Sequence, residues 1–155
     1  MALWADVLYA CDGPWWDVYF DEVRKTFDGE LWTQDEIAAN KYGLYFIRSE
    51  SAPGLGKYDV IHTGENSGYQ MVNLAYLFGA KKIILLGFDM QRTGGKSHCH
   101  GDHPAGLNRS SPLEKFAKNF NSLAADFENE GVEIINATRE TALTCFPKIK
   151  LEEIL

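Results

Sequence analysis

Three of the four histidines fall within one short run, Lys96-Ser97-His98-Cys99-His100-Gly101-Asp102-His103-Pro104. Imidazole and carboxylate groups at such spacing can ligate a metal ion, serve as a general base or steady a phosphate. His98, His100 and His103 are therefore candidate catalytic residues, and Asp102 is a candidate metal ligand. The competing reading is a solvated polar loop, since no second ligand pair at a standard zinc spacing accompanies the run. A second constellation, Gly64-Glu65-Asn66-Ser67-Gly68, stands before an apolar stretch. A helix starting there would present unpaired amides and the positive end of its dipole to an anion, and the two glycines would let a ligand approach the backbone. A tight turn with Asn66 or Ser67 as N-cap explains the same residues equally well. A third, Gly87-Phe88-Asp89-Met90, closes the most apolar run of the chain. The Asp89 carboxylate could bond ribose hydroxyls or hold a metal, or simply cap its own turn. Asn136-Ala137-Thr138 ends a later apolar run and could line the same crevice or cap a strand.

The elements that must position these groups alternate. Val7 to Cys11 reads as a buried strand ended by Asp12-Gly13-Pro14, and Pro14 suits the first turn of a helix running to about Phe27. Leu31-Trp32 is a short extended piece. Thr33-Gln34-Asp35-Glu36 has the form of a capping box for a short helix to about Lys41. Gly43 to Ile47 and Val60 to His62 are strand candidates. A helix from Tyr69 to Phe78 is apolar around most of its circumference, which predicts an interior position, and Gly79 ends it. The run Lys82 to Gly87 is continuous rather than alternating, which predicts a central parallel strand covered on both faces. Leu113 to Glu130 carries the clearest helical stripe, Phe116, Phe120, Leu123, Ala124 and Phe127, with Gly131 as its stop. Val132 to Asn136 follows as a strand, and Leu151 to Leu155 as a last turn. The long non-periodic stretch from Gln91 to Pro112 reads as a functional or mobile loop.

Strand–helix alternation of this length predicts one α/β domain over residues 1–155 with parallel strands joined by right-handed crossovers. Ligands in such sheets bind beyond the carboxyl ends of the strands, where the polar constellations fall. The composition is ordinary for a folded protein, with 45% apolar and 13% aromatic residues among 155. Fifteen basic against 22 acidic residues give a net charge of -7, which argues against general nucleic-acid binding but not against a local site for a phosphorylated ligand. Cys11, Cys99 and Cys145 form no CxxC pair and suit a reducing cytoplasm. Cys11 and Cys145 read as small buried apolar groups. No run approaches the roughly 20 apolar residues of a membrane helix, and the first residues lack the pattern of a signal peptide.

The series Asn66-Ser67-Gly68-Tyr69-Gln70, then Leu77-Phe78-Gly79-Ala80-Lys81-Lys82-Ile83-Ile84-Leu85-Leu86-Gly87-Phe88-Asp89-Met90, then a Gly/His loop, then Asn136-Ala137-Thr138 resembles one superfamily. It holds the bacterial family 42 sialyltransferases, a family linked to flagellin glycosylation, and the archaeal 6-hydroxymethylpterin diphosphokinases. The chain is most similar to small bacteriophage- and prophage-encoded members. The resemblance covers about Ala5 to Leu155. It implies a Rossmann-like three-layer sandwich with a mostly parallel sheet and a nucleotide at the strand ends. It assigns Ser67, Gly68, Gly87 and Asp89 to the nucleotide, with Asn66 beside them, and places Asn136 to Thr138 near the base. Relatives begin with a strand and a Gly-x-Gly-Pro-Ser turn. Here the chain opens at what resembles their third strand, and Gly13-Pro14 follows Ala5 to Tyr9 instead of preceding it. A sheet lacking that first strand would expose an edge, which predicts a homo-oligomer or a partner chain. Three functions follow as expectations: a cytoplasmic transferase acting on a nucleotide or nucleotide sugar, a non-catalytic module binding a nucleotide or host protein, and a metal-dependent hydrolase or diphosphokinase using the histidine loop and a divalent metal.

Overall fold

The computed structural model describes residues 4–92, 107 and 112–154. His98, Cys99, His100, Asp102 and His103 lie outside the described residues. The chain is α/β, and it divides into two compact units, residues 1–49 and residues 50–155.

In the first unit β1 (Val7–Tyr9), β2 (Glu30–Thr33) and β3 (Tyr45–Phe46) form a parallel sheet in the order β1-β2-β3. Helices α1 (Gly13–Thr26) and α2 (Glu36–Tyr42) make the crossovers. Their apolar residues meet Leu31 and Leu44 in a core built on Trp16, Val23, Phe27, Ala38 and Ala39. Trp16 is fully buried, and its indole N–H donates to the Ala10 carbonyl at 3.0 Å, so the ring enters the core without an unsatisfied donor. Trp15 stays half-exposed and meets Trp16 edge to face.

The capping box expected at Thr33 to Glu36 does not form. Asp35 is the N-cap of α2, accepting from the Ala38 amide at 2.9 Å, while Thr33 accepts from the Asp35 amide at 3.1 Å. The other Asp35 oxygen accepts from the Gly13 amide at 3.1 Å. One carboxylate thus serves the first turns of two helices, and that shared load moves the start of α2 two residues beyond Thr33.

The second unit contains β5 (Val60–His62), α3 (Ser67–Leu77), β6 (Lys82–Leu85), α4 (Leu113–Glu130) and β7 (Glu133–Asn136). The strand leading into it, β4 (Arg48–Glu50), pairs with β5. β6 and β7 run parallel in the register Lys82↔Glu133 to Leu85↔Asn136. Inward residues Ile83, Leu85 and Ile134 join Tyr69 and Val72 of α3 and Phe120, Leu123 and Phe127 of α4 in one core. Phe120 is its hub, edge to face with Tyr69, Phe88 and Phe146.

The expectation that β6 is covered on both faces is not met. Ile83 and Leu85 are buried, whereas Ile84 and Leu86 are 36% and 53% exposed. Both helices contribute to the same cluster as Ile83 and Leu85, so the described elements cover one face of the strand. The interior position expected for α3 holds only in part. Tyr69, Val72 and Leu74 are buried, but Met71 and Phe78 are about half exposed, and two of its buried positions are the polar Gln70 and Asn73.

Asn73 explains why a polar residue occupies the inside of that helix. Its side-chain oxygen accepts from the amides of Gly56 and His62, each at 2.9 Å, and its amide donates to the Gly56 carbonyl at 3.1 Å. It acts as a piece of strand between the loop before β5 and β5 itself. Tyr69 adds a bond to the Gly54 carbonyl at 2.7 Å, and Asp126 accepts from the Leu55 amide at 2.7 Å. The His62 Nδ1 faces the carbonyls of Pro53 and Gly54, so that nitrogen carries the ring proton.

Burial pushes the Cys145 thiol up to about 11 and raises the phenols of Tyr9 and Tyr69 above their ordinary value. Each group is an acid whose folded value exceeds its unfolded one. The stability it contributes is complete below the unfolded value, 9.0 for the thiol, and fades as pH rises through the folded value. Wild type is therefore expected to lose melting temperature relative to Cys145→Ala between pH 9 and 11. Melts across that range check this, and a difference that stays constant would contradict it.

Candidate functional site

The site is built where β6 and β7 end. Gly87, with φ of 75°, turns the chain out of β6, and Met90 adopts a positive φ of 49° two residues past Phe88. That turn is held from the side by the loop after β7. The Ala137 amide donates to the Leu85 carbonyl at 2.9 Å, continuing the ladder by one bond. Beyond it, side chains replace backbone. Thr138 accepts from the Phe88 amide at 2.9 Å, and Thr141 donates to the Phe88 carbonyl at 2.6 Å. The Ala142 amide then donates to the Asp89 carbonyl at 2.8 Å. Both polar groups of the Phe88 backbone are thereby satisfied although no strand continues there. Among the described residues, the Asp89 carboxylate takes no part in this bonding.

Asn136 organises the other wall. It is fully buried. Its side-chain oxygen accepts from the Thr138 amide at 3.0 Å, and its amide donates to Thr141 and to the Leu143 carbonyl at 3.3 Å each. Its backbone N–H donates to the Pro147 carbonyl at 2.8 Å, and its carbonyl accepts from the Ile149 amide at 3.2 Å. The segment 147–149 is thus drawn alongside the end of β7 through a parallel bridge between Asn136 and Lys148. A 3₁₀ turn, Leu151–Glu153, follows it.

Between these walls lies an open crevice of about 1010 Å³, at the upper limit of the sizes that take a small organic ligand. Gly87, Asp89 and Thr138 line it, together with Arg139, Glu140, Lys148, Lys150, Glu152 and Glu153. Three of the residues singled out from sequence, Gly87, Asp89 and Thr138, are therefore brought into one site.

The others stand differently. Asn136 lies beneath the crevice with its side chain engaged in the loop. Asn66 is the N-cap of α3, accepting from the Tyr69 amide at 3.1 Å, and Ser67 and Gly68 open the helix. They neighbour the site through Phe88, whose ring lies so close to Gly68 that an added Cβ would meet it at 2.8 Å. The turn before them is tied to α4 by Asn119, which donates to the Gly64 carbonyl at 2.8 Å, and by the Lys115–Glu65 ion pair. Both glycines of Gly64-Glu65-Asn66-Ser67-Gly68 admit side chains of the protein itself, Gly64 the ring of Tyr69 and Gly68 that of Phe88.

Sequence reasoning missed Arg139, Glu140 and the whole segment from Lys148 to Glu153. The alternation Lys148-Ile149-Lys150 just before the last turn was the available signal.

No family model, curated protein or solved structure matches the chain. The superfamily resemblance therefore rests on the motifs themselves. Among the described residues no group of His, Cys, Asp and Glu is arranged to hold a metal, and no helix is long and apolar enough to cross a membrane.

Proposed function

We propose that the chain binds a nucleotide in the crevice beyond β6 and β7, as a transferase-like protein of Rossmann-like architecture acting on a nucleotide-activated sugar. The observation that carries this reading is the convergence of Gly87, Asp89 and Thr138 on one open crevice at the carboxyl ends of two parallel strands. That is where open parallel sheets bind ligands, because the loops diverge there and the backbone is free to turn toward a ligand. Asp89 is suited to accept from the paired hydroxyls of a ribose, and the absence of a side chain at Gly87 lets the sugar approach the strand end. Arg139, Lys148 and Lys150 line the same crevice, and their charge suits the phosphates of such a ligand.

Asp89→Ala keeps the fold on this account, since it is the Asp89 carbonyl and not its carboxylate that bonds to Ala142. The variant loses a charge-assisted hydrogen bond to the ligand, so nucleotide affinity falls by about tenfold to a hundredfold. Calorimetric titration of wild type and variant with a panel of nucleotides and nucleotide sugars checks this. Equal affinities would remove Asp89 from the site, and no binding of any nucleotide by wild type would overturn the reading.

A further inference from the structure

We propose that the segment 147–150, with Arg139, forms a phosphate-selective wall of the crevice, so that the protein discriminates a nucleoside phosphate from the bare nucleoside. This rests on the nucleotide reading above and adds to it the residues that hold the phosphate.

The two bonds between Asn136 and the segment at Pro147 and Ile149 set Lys148 level with the end of β7. Lys150 is still extended, at φ -68° and ψ 143°. Residues two apart in an extended chain project to the same side, so Lys148 and Lys150 share one side; both line the crevice, as does Ile149 between them. The Lys148 ammonium is fixed further by donating to the Arg139 carbonyl at 2.8 Å. An ammonium has three protons, so two remain for a ligand, and the group is held in place before the ligand arrives. Arg139 lies directly after Thr138, which holds the Phe88 turn, and it lines the same crevice.

The charge balance defines how this wall works. Asp89, Glu140, Glu152 and Glu153 also line the crevice, four carboxylates against three cations, and the chain carries a net charge of -7. The long-range field therefore repels an anion, and selectivity comes from short contacts to the three cations. Such contacts weaken with ionic strength.

The test compares each common nucleoside with its 5′-monophosphate and 5′-diphosphate on the full chain, for wild type and for the Lys148→Gln/Lys150→Gln double variant. Both lysines are exposed, and the Lys25→Gln/Lys118→Gln double variant, at exposed positions that do not line the crevice, serves as a control of equal charge change. Wild type is expected to prefer the phosphorylated form by about tenfold or more, a preference that shrinks with added salt. The double variant is expected to lose that preference while binding the nucleoside as wild type does, and the control to retain it. Equal binding of nucleoside and nucleotide by wild type, or an undiminished preference in the double variant, overturns the wall while leaving a ribose-binding crevice intact. No binding of either form overturns both proposals.

Discussion

Asn73→Ala is expected to lower the stability of the protein by about 3 kcal/mol, because one buried amide, one partly buried amide and one buried carbonyl lose their partner at once. Asn73 is fully buried, and its three bonds of 2.9 to 3.1 Å all go to backbone groups of Gly56 and His62. The two groups on Gly56 are buried and bear the larger desolvation cost in the variant, while the His62 amide is partly buried. Asn73→Asp tests the geometry from the other side. It retains an acceptor for the two amides but cannot donate to the Gly56 carbonyl, and it buries a charge, so it too is strongly destabilised. Urea denaturation at neutral pH measures both. A loss under about 1 kcal/mol for the alanine variant would mean the loop before β5 is not held by this side chain.

Gly64→Ala is expected to be at least as damaging, costing about 3–5 kcal/mol or preventing folding, because overpacking and backbone strain act together. A methyl group there would overlap the ring of Tyr69, which is fully buried and cannot move aside. The position also has a φ of 49°, which disfavours any side chain. Gly68→Ala makes the contrast. Its added Cβ would meet the edge of the half-buried Phe88 ring at 2.8 Å, and its backbone is helical, so a smaller loss is expected. Equal stability of the Gly64→Ala protein and wild type, by the same denaturation, would contradict the packing described for this turn.

These two positions show what the sequence could and could not convey. Elements specified by local pattern were legible. The stripe of α4 and its stop at Gly131 were visible because helical spacing repeats over 18 residues. The parallel pairing of β1 with β2 and of β6 with β7 followed from a helix lying between the paired strands. Gly87, Asp89 and Thr138 could be placed together because parallel strands send their carboxyl ends to one edge. What was not legible depends on contacts far apart in sequence. Asn73 looks like a surface residue of a helix until the loop 17 residues earlier is seen to return to it. Gly64 and Gly68 have the composition of a ligand-binding turn, yet the rings of Tyr69 and Phe88 fill the space they leave. Thr33 to Glu36 matched a capping pattern, but Asp35 was needed by two helices, one of them 22 residues away. The run at Lys82 to Leu86 was apolar throughout, and periodicity alone does not show that Ile84 and Leu86 face outward. The segment 147–153 was obscure for a related reason. Its position is set by the buried backbone and side chain of Asn136, not by any pattern of its own.

The most direct test of the central claim is a titration of the isotope-labelled protein with its best-binding nucleotide, followed by amide NMR. The largest shifts are expected on Gly87, Asp89, Thr138, Arg139 and the segment 148–150, with Asn73 and the loop it holds unmoved. Shifts confined to another surface, or no shifts at saturating nucleotide, would contradict it.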